Sequence, residues 1–299
     1  MLTRSLIINA DGYGITAGIN RAIEECIEFG TVRSISVNVN FSHARALPAL
    51  VKKYPWLSVG CHLNPIIGRP VLPLEKVRSL VNDNGEFFYK EFNKKLSSGH
   101  IQLDELRLEL FAQIDRCRDL AGTCFSHVDC HMGKHRLPRF YPVFLETTKY
   151  SGTGRIRTHR YMLAMESKNR RLGVLCYFVK HPVRIGVYVW NLWLRHKAEK
   201  HGFAMPDWWV SIGDMGKKQG AISLDTWISF LKNVPPGISE FVVHPAYLDE
   251  GMYLWTTYIQ QREEERKILT SEKFRNALLN SKIQLVGYRD IKLFQLRPP

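Results

Sequence analysis

Acidic residues are scarce in this chain: 28 Asp plus Glu stand against 42 Lys plus Arg over 299 residues, a formal charge of +14 at pH 7. That surplus attracts phosphate, whether on nucleic acid, anionic lipid or substrate, and says nothing about fold. Cysteines in CxxC spacing are missing. The six present (Cys26, Cys61, Cys117, Cys124, Cys130 and Cys176) are scattered through apolar contexts, which argues against a disulfide framework or a structural zinc knuckle and for reduced core thiols. Long hydrophobic runs are also lacking. The opening MLTRSLIINADGYG turns polar at Asn9, too soon for a secretory signal. The apolar stretch between Ser167 and His201 is interrupted by Lys180, His181, Pro182 and Arg184, whereas a membrane span needs roughly 20 apolar residues. No internal repeat or low-complexity linker occurs. With 45% hydrophobic and 23% charged residues, disorder, collagen and a polytopic membrane protein are excluded. A single domain over 1–299 in the cytoplasm is expected, since one α/β barrel fills that length.

Strand-like runs alternate with helical stretches. SLIINAD precedes the helical GINRAIEECIEFG; SISVNVNFS and LSVGCHLN follow; ELRLELFAQIDRCRDL comes before CFSHVDCH. That order predicts a parallel sheet with crossover helices. Gly30 and Pro55 mark helix ends. Strand character returns in EFVVHPA and KIQLVGY, with the helix-like YIQQREEERKILTSEKFRNALLNS between them. About 167–220 fits the alternation poorly and reads as a basic, aromatic-rich insertion. Between Ser167 and His201 it carries eight Lys/Arg against Glu199 alone. Core or lid helices, an in-plane contact with an anionic membrane surface through 167–201 and a true span, the last disfavoured by the interrupted run, are the readings of it. No nucleic-acid recognition pattern accompanies the charge.

Titratable side chains collect at the ends of four strand-like runs, where a parallel barrel assembles its reaction site. Period-two alternation groups Ile7, Asn9 and Asp11; Ser58, Gly60, His62 and Asn64; His127, Asp129 and His131; and Val242 with His244. In His127-Val-Asp129-Cys-His131-Met-Gly-Lys-His135 an extended backbone brings His127, Asp129 and His131 to one face, and imidazole plus carboxylate suits a divalent metal. Surface or core histidines, an Asx turn at Asp11 and a buried His244 before Pro245 are the plainer readings of the same residues.

Together these pieces resemble the YdjC-like carbohydrate deacetylase family, also called ChbG/HpnK. The matching segments are LIINADGYG with GINRAI and GTVRSISVNVN, VGCHLNPIIGRPVLP, SHVDCHMGKHRLP, RIRTHR around Arg157, and SEFVVHPAYLDE. The resemblance implies a distorted TIM-like (β/α) barrel of the glycoside hydrolase/deacetylase type and removal of an N-acetyl group from an amino sugar, oligosaccharide or lipid-linked. It matches His62 and His131 to metal-binding histidines, Asp11 to the first acid of an Ala-Asp-Asp-Phe-Gly signature, His244 to a late His-Pro motif and Arg157 to a basic loop. The second acid of that signature is Gly12 here, and Tyr13 stands for Phe. Asp11 is therefore expected to ligate a divalent ion (Zn, Mg or another first-row metal) with His62 and His131, and also to act as base. His244 is expected to protonate the leaving amine, Asp129 to take the vacated acid's place among the ligands or to orient one of them by a hydrogen bond, and His127, Arg157 and Asn64 to orient ligands or meet substrate. Arg160 is grouped with Arg157 as a partner for carboxylates. The competing readings are a sugar-binding relative that has lost catalysis with its second acid, and a metal-dependent phosphoester hydrolase.

Overall fold

The computed structural model describes residues 3–162, 176–210 and 222–293. Seven strands form one sheet: β1 (Arg4–Tyr13), β2 (Ser34–Val37), β3 (Ser58–Leu63), β4 (Phe125–Cys130), β5 (Trp208–Val210), β6 (Gly237–Val243) and β7 (Gln284–Val286). The order is β4-β3-β2-β1-β6-β5, with β7 also paired to β1, and every pairing is parallel. One flank of β1 is shared: β7 takes Ser5 to Ile7 and β2 takes Asn9 to Tyr13. Single parallel bridges from Ile156 to Val128 on β4, from Arg155 to Ala204, and from Tyr161 to Trp209 on β5 close the ring. The result is the expected distorted barrel. Its seam is an irregular segment rather than a strand, and that segment carries Arg157.

The helices are α1 (Ala17–Glu28), α2 (Leu47–Lys53), α3 (Phe92–Ser97), α4 (Leu103–Ala121), α5 (Tyr141–Ser151), α6 (Val183–Lys200), α7 (Leu224–Asn233), α8 (Gln260–Leu269) and α9 (Glu272–Asn280). In α1, Ile19, Ala22, Ile23, Cys26 and Ile27 form the buried stripe, spaced as one helical face requires. The Thr16 hydroxyl caps it by accepting from the Ile19 amide, and Gly30 follows with a φ of +87°. The long helical run near the C-terminus divides at Thr270 and Ser271, where the Ser271 hydroxyl accepts from Phe274 N and starts α9. Of the stretch expected as an insertion, 167–220, residues 167–175 and 211–220 lie outside the described residues. Within it, Trp208–Val210 is a sheet strand paired with β6, and Leu194 and Ala198 of α6 are buried in the main core.

Alternation along the strands divides the molecule into two layers. Leu6, Ile8, Ala10, Ile35, Val37, Val59, Cys61, Leu63, Val128, Cys130, Phe241 and Val243 belong to the main core cluster, which the helices also line. The opposite residues point into the barrel. Ile7 joins Ala204, Val286, Tyr288 and Ile291 in a small apolar plug. Beyond it the interior becomes polar: Asn9, Asp11, Ser34, Ser36, His62, His127, Asp129 and Glu240 are all buried.

Gly60 shows how tightly that interior is filled. It pairs with His127 across β3 and β4, and a methyl group at residue 60 would overlap three atoms of the His127 ring. The ring cannot yield, because its other face stacks on Tyr288 at 3.7 Å between centroids. Gly60→Ala is expected to cost about 1–3 kcal/mol of stability through overpacking, measured by denaturant unfolding. An unchanged midpoint would show that the ring can move.

Candidate active site

Asp11 lies near the C-terminal end of β1, where the pairing with β2 slips between Asp11 and Tyr13. Gly12 sits in that bulge with a φ of +107°, a conformation that L side chains rarely adopt. The irregularity leaves Asp11 facing the barrel mouth. Both carboxylate oxygens accept from Arg157, Nη1 to Oδ2 at 2.8 Å and Nη2 to Oδ1 at 2.7 Å, and Asn9 Nδ2 donates to Oδ1 at 2.7 Å. Burial alone would raise its pKa; the Arg157 guanidinium, with His62 and His244, instead holds the carboxyl far below the usual carboxylate range. Asp11 is thus a fixed anion.

Arg157 serves three acids. Besides Asp11 it reaches Asp129 Oδ2 at 2.7 Å and Glu240 Oε1 at 2.9 Å. Burial opposes its charge, but the three carboxylates raise its pKa well above the ordinary value. Glu240, also buried, is pushed up to about 7 by desolvation despite Arg157. Asp129 is fully engaged: Oδ1 meets His62 Nδ1 at 2.8 Å, and Oδ2 accepts from Ser36 Oγ at 2.9 Å as well as from Arg157. Since an ionised carboxylate only accepts, His62 Nδ1 carries the proton and Nε2 faces the cavity. A carboxylate on the far nitrogen is the arrangement that orients metal-binding histidines.

His62 Nε2 and His244 Nε2 each stand 3.9 Å from Asp11 Oδ2, beyond hydrogen-bond reach. His131 presents its ring edge-on to His62 with centroids 5.3 Å apart. Burial keeps His131 well below the ordinary histidine pKa and His244 at about 3, so both are neutral imidazoles with a lone pair to offer. His62 differs: burial would lower it, but Asp129 and Asp11 raise it. Among the described residues, Asp11, His62 and Asp129 form a group that could hold a metal ion, with ligand atoms within 4.8 Å of one another. Asp129 does not line the cavity and turns Oδ1 to His62, so the donors that face the cavity are Asp11, through the lone pair left on Oδ2, and the imidazoles of His62, His131 and His244. One carboxylate with several neutral imidazoles fits a divalent ion.

These groups floor a cavity of about 650 Å³ that is also lined by Tyr89, Met132, Arg136, Tyr161, Trp209, Trp255, Tyr258 and Arg262, a size and lining suited to a small molecule. Asp11, His62, His131, Arg157 and His244 all reach it. Four expected participants do not: Asp129, held beneath the floor by His62, Ser36 and Arg157, and Asn64, His127 and Arg160. Asn64 spends its side chain on its own loop, Nδ2 donating to Asn40 Oδ1 and Ile67 O while Oδ1 accepts from Ile66 and Ile67 amides. His127 lies one layer deeper, stacked on Tyr288 with Nδ1 against Ser126. Arg160 stacks on Trp208 at 3.7 Å. His131 opens a 3-10 turn rather than ending β4, because Met132 and Gly133 take positive φ of 53° and 61°.

The sequence reading missed Glu240 and Arg262. Glu240 shares strand parity with Val242 and His244, so the signal was present. Arg262, in α8, gave none. It donates to Tyr258 O at 3.0 Å, and Nη1 would lie 4.0 Å from a side chain at residue 12. No salt bridge to Arg262 occurs among the described residues. Where the resembled signature has a second acid, this chain has a glycine packed by Ile15 and Ile19 beside a guanidinium.

Comparison with known proteins gives the same answer along nearly the whole length. The chain is 27% identical over 288 residues to a carbohydrate deacetylase of Thermoanaerobacter pseudethanolicus, covering 96% of this chain and 99% of the relative. It is 28% identical to a carbohydrate deacetylase of Geobacillus stearothermophilus, covering 97% and 98%, and 26% identical to a chitooligosaccharide deacetylase of Yersinia pestis, covering 97% and 100%. A crystal structure from Enterococcus faecalis V583, named for cellobiose-phosphate cleavage, shares the fold with a TM-score of 0.72 at 24% identity, covering 96% of this chain and 98% of the other. The model of the YdjC-like protein family matches residues 5–280, and with that match the chain belongs to the YdjC-like protein family.

Proposed function

We propose that this protein is a metal-dependent hydrolase that removes the N-acetyl group from an amino sugar. The observation that carries the reading is a permanently ionised carboxylate, Asp11, surrounded by imidazole nitrogens of His62, His131 and His244 at the floor of an open, aromatic-walled cavity. The names of the carbohydrate and chitooligosaccharide deacetylase relatives support the substrate class. Asp11, His62 and His131 would hold the divalent ion, which supplies Lewis acidity to the acetyl carbonyl and to water. We place the reaction in the cytoplasm, because five cysteines are buried free thiols, the state that a reducing compartment maintains.

The proton is carried by the chain's own groups. Both Asp11 oxygens are tied to Arg157 and Oδ1 also to Asn9, so Asp11 offers its one remaining lone pair, on Oδ2, to the ion and remains charged. His244 is neutral and takes the proton at Nε2, then returns it to the nitrogen that departs as the free amine. Its backbone amide is fixed by the Glu265 carboxylate. The Asp129, Ser36 and Arg157 network holds His62 and Asp11 in register and does not enter the reaction. Tyr161, Trp209, Trp255 and Tyr258 offer flat faces for sugar rings.

Acetate release from N-acetylated chitooligosaccharides is the test, using chelator-stripped protein reloaded with zinc, magnesium, manganese or cobalt. Release is expected with at least one of these ions and none in the stripped protein. Hydrolysis of phosphodiesters with no acetate release under any ion would overturn the reading in favour of phosphoester chemistry.

A further inference from the structure

Helix α6 is apolar on two faces, and the fold covers one of them. Asn191, Leu194 and Ala198 are its buried residues, spaced along a single face, and Trp190 beside them donates to Arg136 O at 2.9 Å. Ile185, Val189 and Leu192 follow i, i+4, i+7 spacing on the opposite side, with Trp193 adjoining, and all four are exposed. The first turns are barer still: Val183 is 86% exposed and Val187 57%, and Val179 just before the helix is 74% exposed. A surface helix ordinarily turns polar residues outward. Here the outward face is branched aliphatic and aromatic.

The charges beside this face have one sign. From 176 to 201 the chain carries Lys180, Arg184, Arg195, Lys197 and Lys200 with Glu199 as the single acid, and Glu199 is taken by Arg195 at 2.8 Å. Lys180 precedes the helix and Lys197 and Lys200 end it, so cations bracket the aliphatic strip. Long lysine stems can lie along apolar surface while their ammonium groups reach a charged layer. Pairing with a second copy through the same patch would set these cations against their own images. A surface of opposite charge with an apolar layer beneath it matches both features. No helix among the described residues is long and apolar enough to cross a membrane, so the match is to lying in the interface.

We propose that the exposed face of α6 docks the protein on an anionic lipid bilayer, with Ile185, Val189, Leu192 and Trp193 entering the headgroup boundary and the flanking lysines meeting lipid phosphates. The docked helix borders the catalytic cavity: Trp190 is bonded to Arg136, and Arg195 Nη1 to Thr158 Oγ1 at 2.5 Å, and Arg136 and Thr158 both line the cavity. Docking through the outward side would therefore leave only the thickness of this helix between the cavity wall and the lipid surface. The inference rests on the helix alone and stands whatever reaction the cavity performs.

The experiment is co-sedimentation of the full chain with vesicles of about equal parts phosphatidylglycerol and phosphatidylcholine, and with pure phosphatidylcholine, at low and high salt. Binding is expected to the anionic vesicles at low salt, to weaken at high salt and to be weak on phosphatidylcholine. The triple variant Ile185→Ser, Val189→Ser, Leu192→Ser should bind roughly tenfold or more weakly, since each change withdraws hydrocarbon from the interface. These side chains are exposed, so the variant's melting temperature should be unchanged, which separates lost docking from lost fold. Equal binding of wild type and variant, or no binding to anionic vesicles at low salt, would overturn the proposal. Self-association by sedimentation velocity that the triple variant abolishes, without vesicle binding, would overturn it in favour of a second copy.

Discussion

Arg157→Gln is expected to cost about 3–5 kcal/mol of folding stability, the range for removing one partner of a buried ion pair. One guanidinium, largely withdrawn from solvent, neutralises Asp11, Asp129 and Glu240 at 2.7 to 2.9 Å. Glutamine leaves three buried carboxylates facing one another. The loss should depend on pH. In the wild type Asp11 and Asp129 have depressed pKa values: burial pushes them up, but Arg157 and His62 prevail. Their contribution is present above the unfolded carboxylate range and disappears as pH falls through the folded value. Without Arg157 the remaining desolvation and mutual repulsion raise the folded values. Stability of the variant is then greatest in acid and declines as pH rises through those raised values. Thermal unfolding of chelator-stripped wild type and Arg157→Gln between pH 5 and 8 checks this: the gap between them should widen toward pH 8. A small, pH-independent gap would mean that Arg157 does not hold the three acids together.

His244→Gln is expected to reduce the turnover of acetate release by about 10²- to 10⁴-fold, the usual weight of a positioned acid–base group, while the bound metal is retained. Asp11→Asn should remove both together, because Asp11 is the anionic ligand on which the bound metal, and with it turnover, depends. Metal content by atomic emission, measured beside kcat, separates the two roles. If His244→Gln empties the metal site, His244 is a ligand and the proton must travel elsewhere. If Asp11→Asn keeps full metal content and full turnover, the centre of the site has been misplaced. Gln at 244 keeps the polarity and approximate size of the side chain, and the backbone bond to Glu265 survives the change, so a fold defect is not expected to obscure either result.

Much of this geometry was legible before any coordinates, for a local reason. Side chains on a strand alternate by sterics alone, so placing Asp11, His62, Asp129 and His244 on inward faces required only the strands to be recognised. The same rule would have given Glu240. It failed at two points where the backbone leaves the regular pattern. His131 follows β4, but positive φ at Met132 and Gly133 bends the chain into a turn, so its ring approaches His62 from the side instead of continuing the face of Asp129. Asn64 keeps its parity on paper, yet as the residue after β3 it closes a turn on the Ile66 and Ile67 amides.

The amino-acid order by itself determined the alternating strands and helices, the inward polar face, the free cysteines and the cationic, aromatic character of the region around α6, because each depends on neighbours close in the chain. Only the tertiary structure decided which cation answers Asp11, which acid orients His62, and that Arg262 stands beside Gly12. These partners are 146, 67 and 250 residues apart, and nothing but closure of the barrel brings them within a few ångströms. It also decided that α6 has an apolar face left over, since a periodic pattern shows that a face is hydrophobic and only packing shows whether anything covers it.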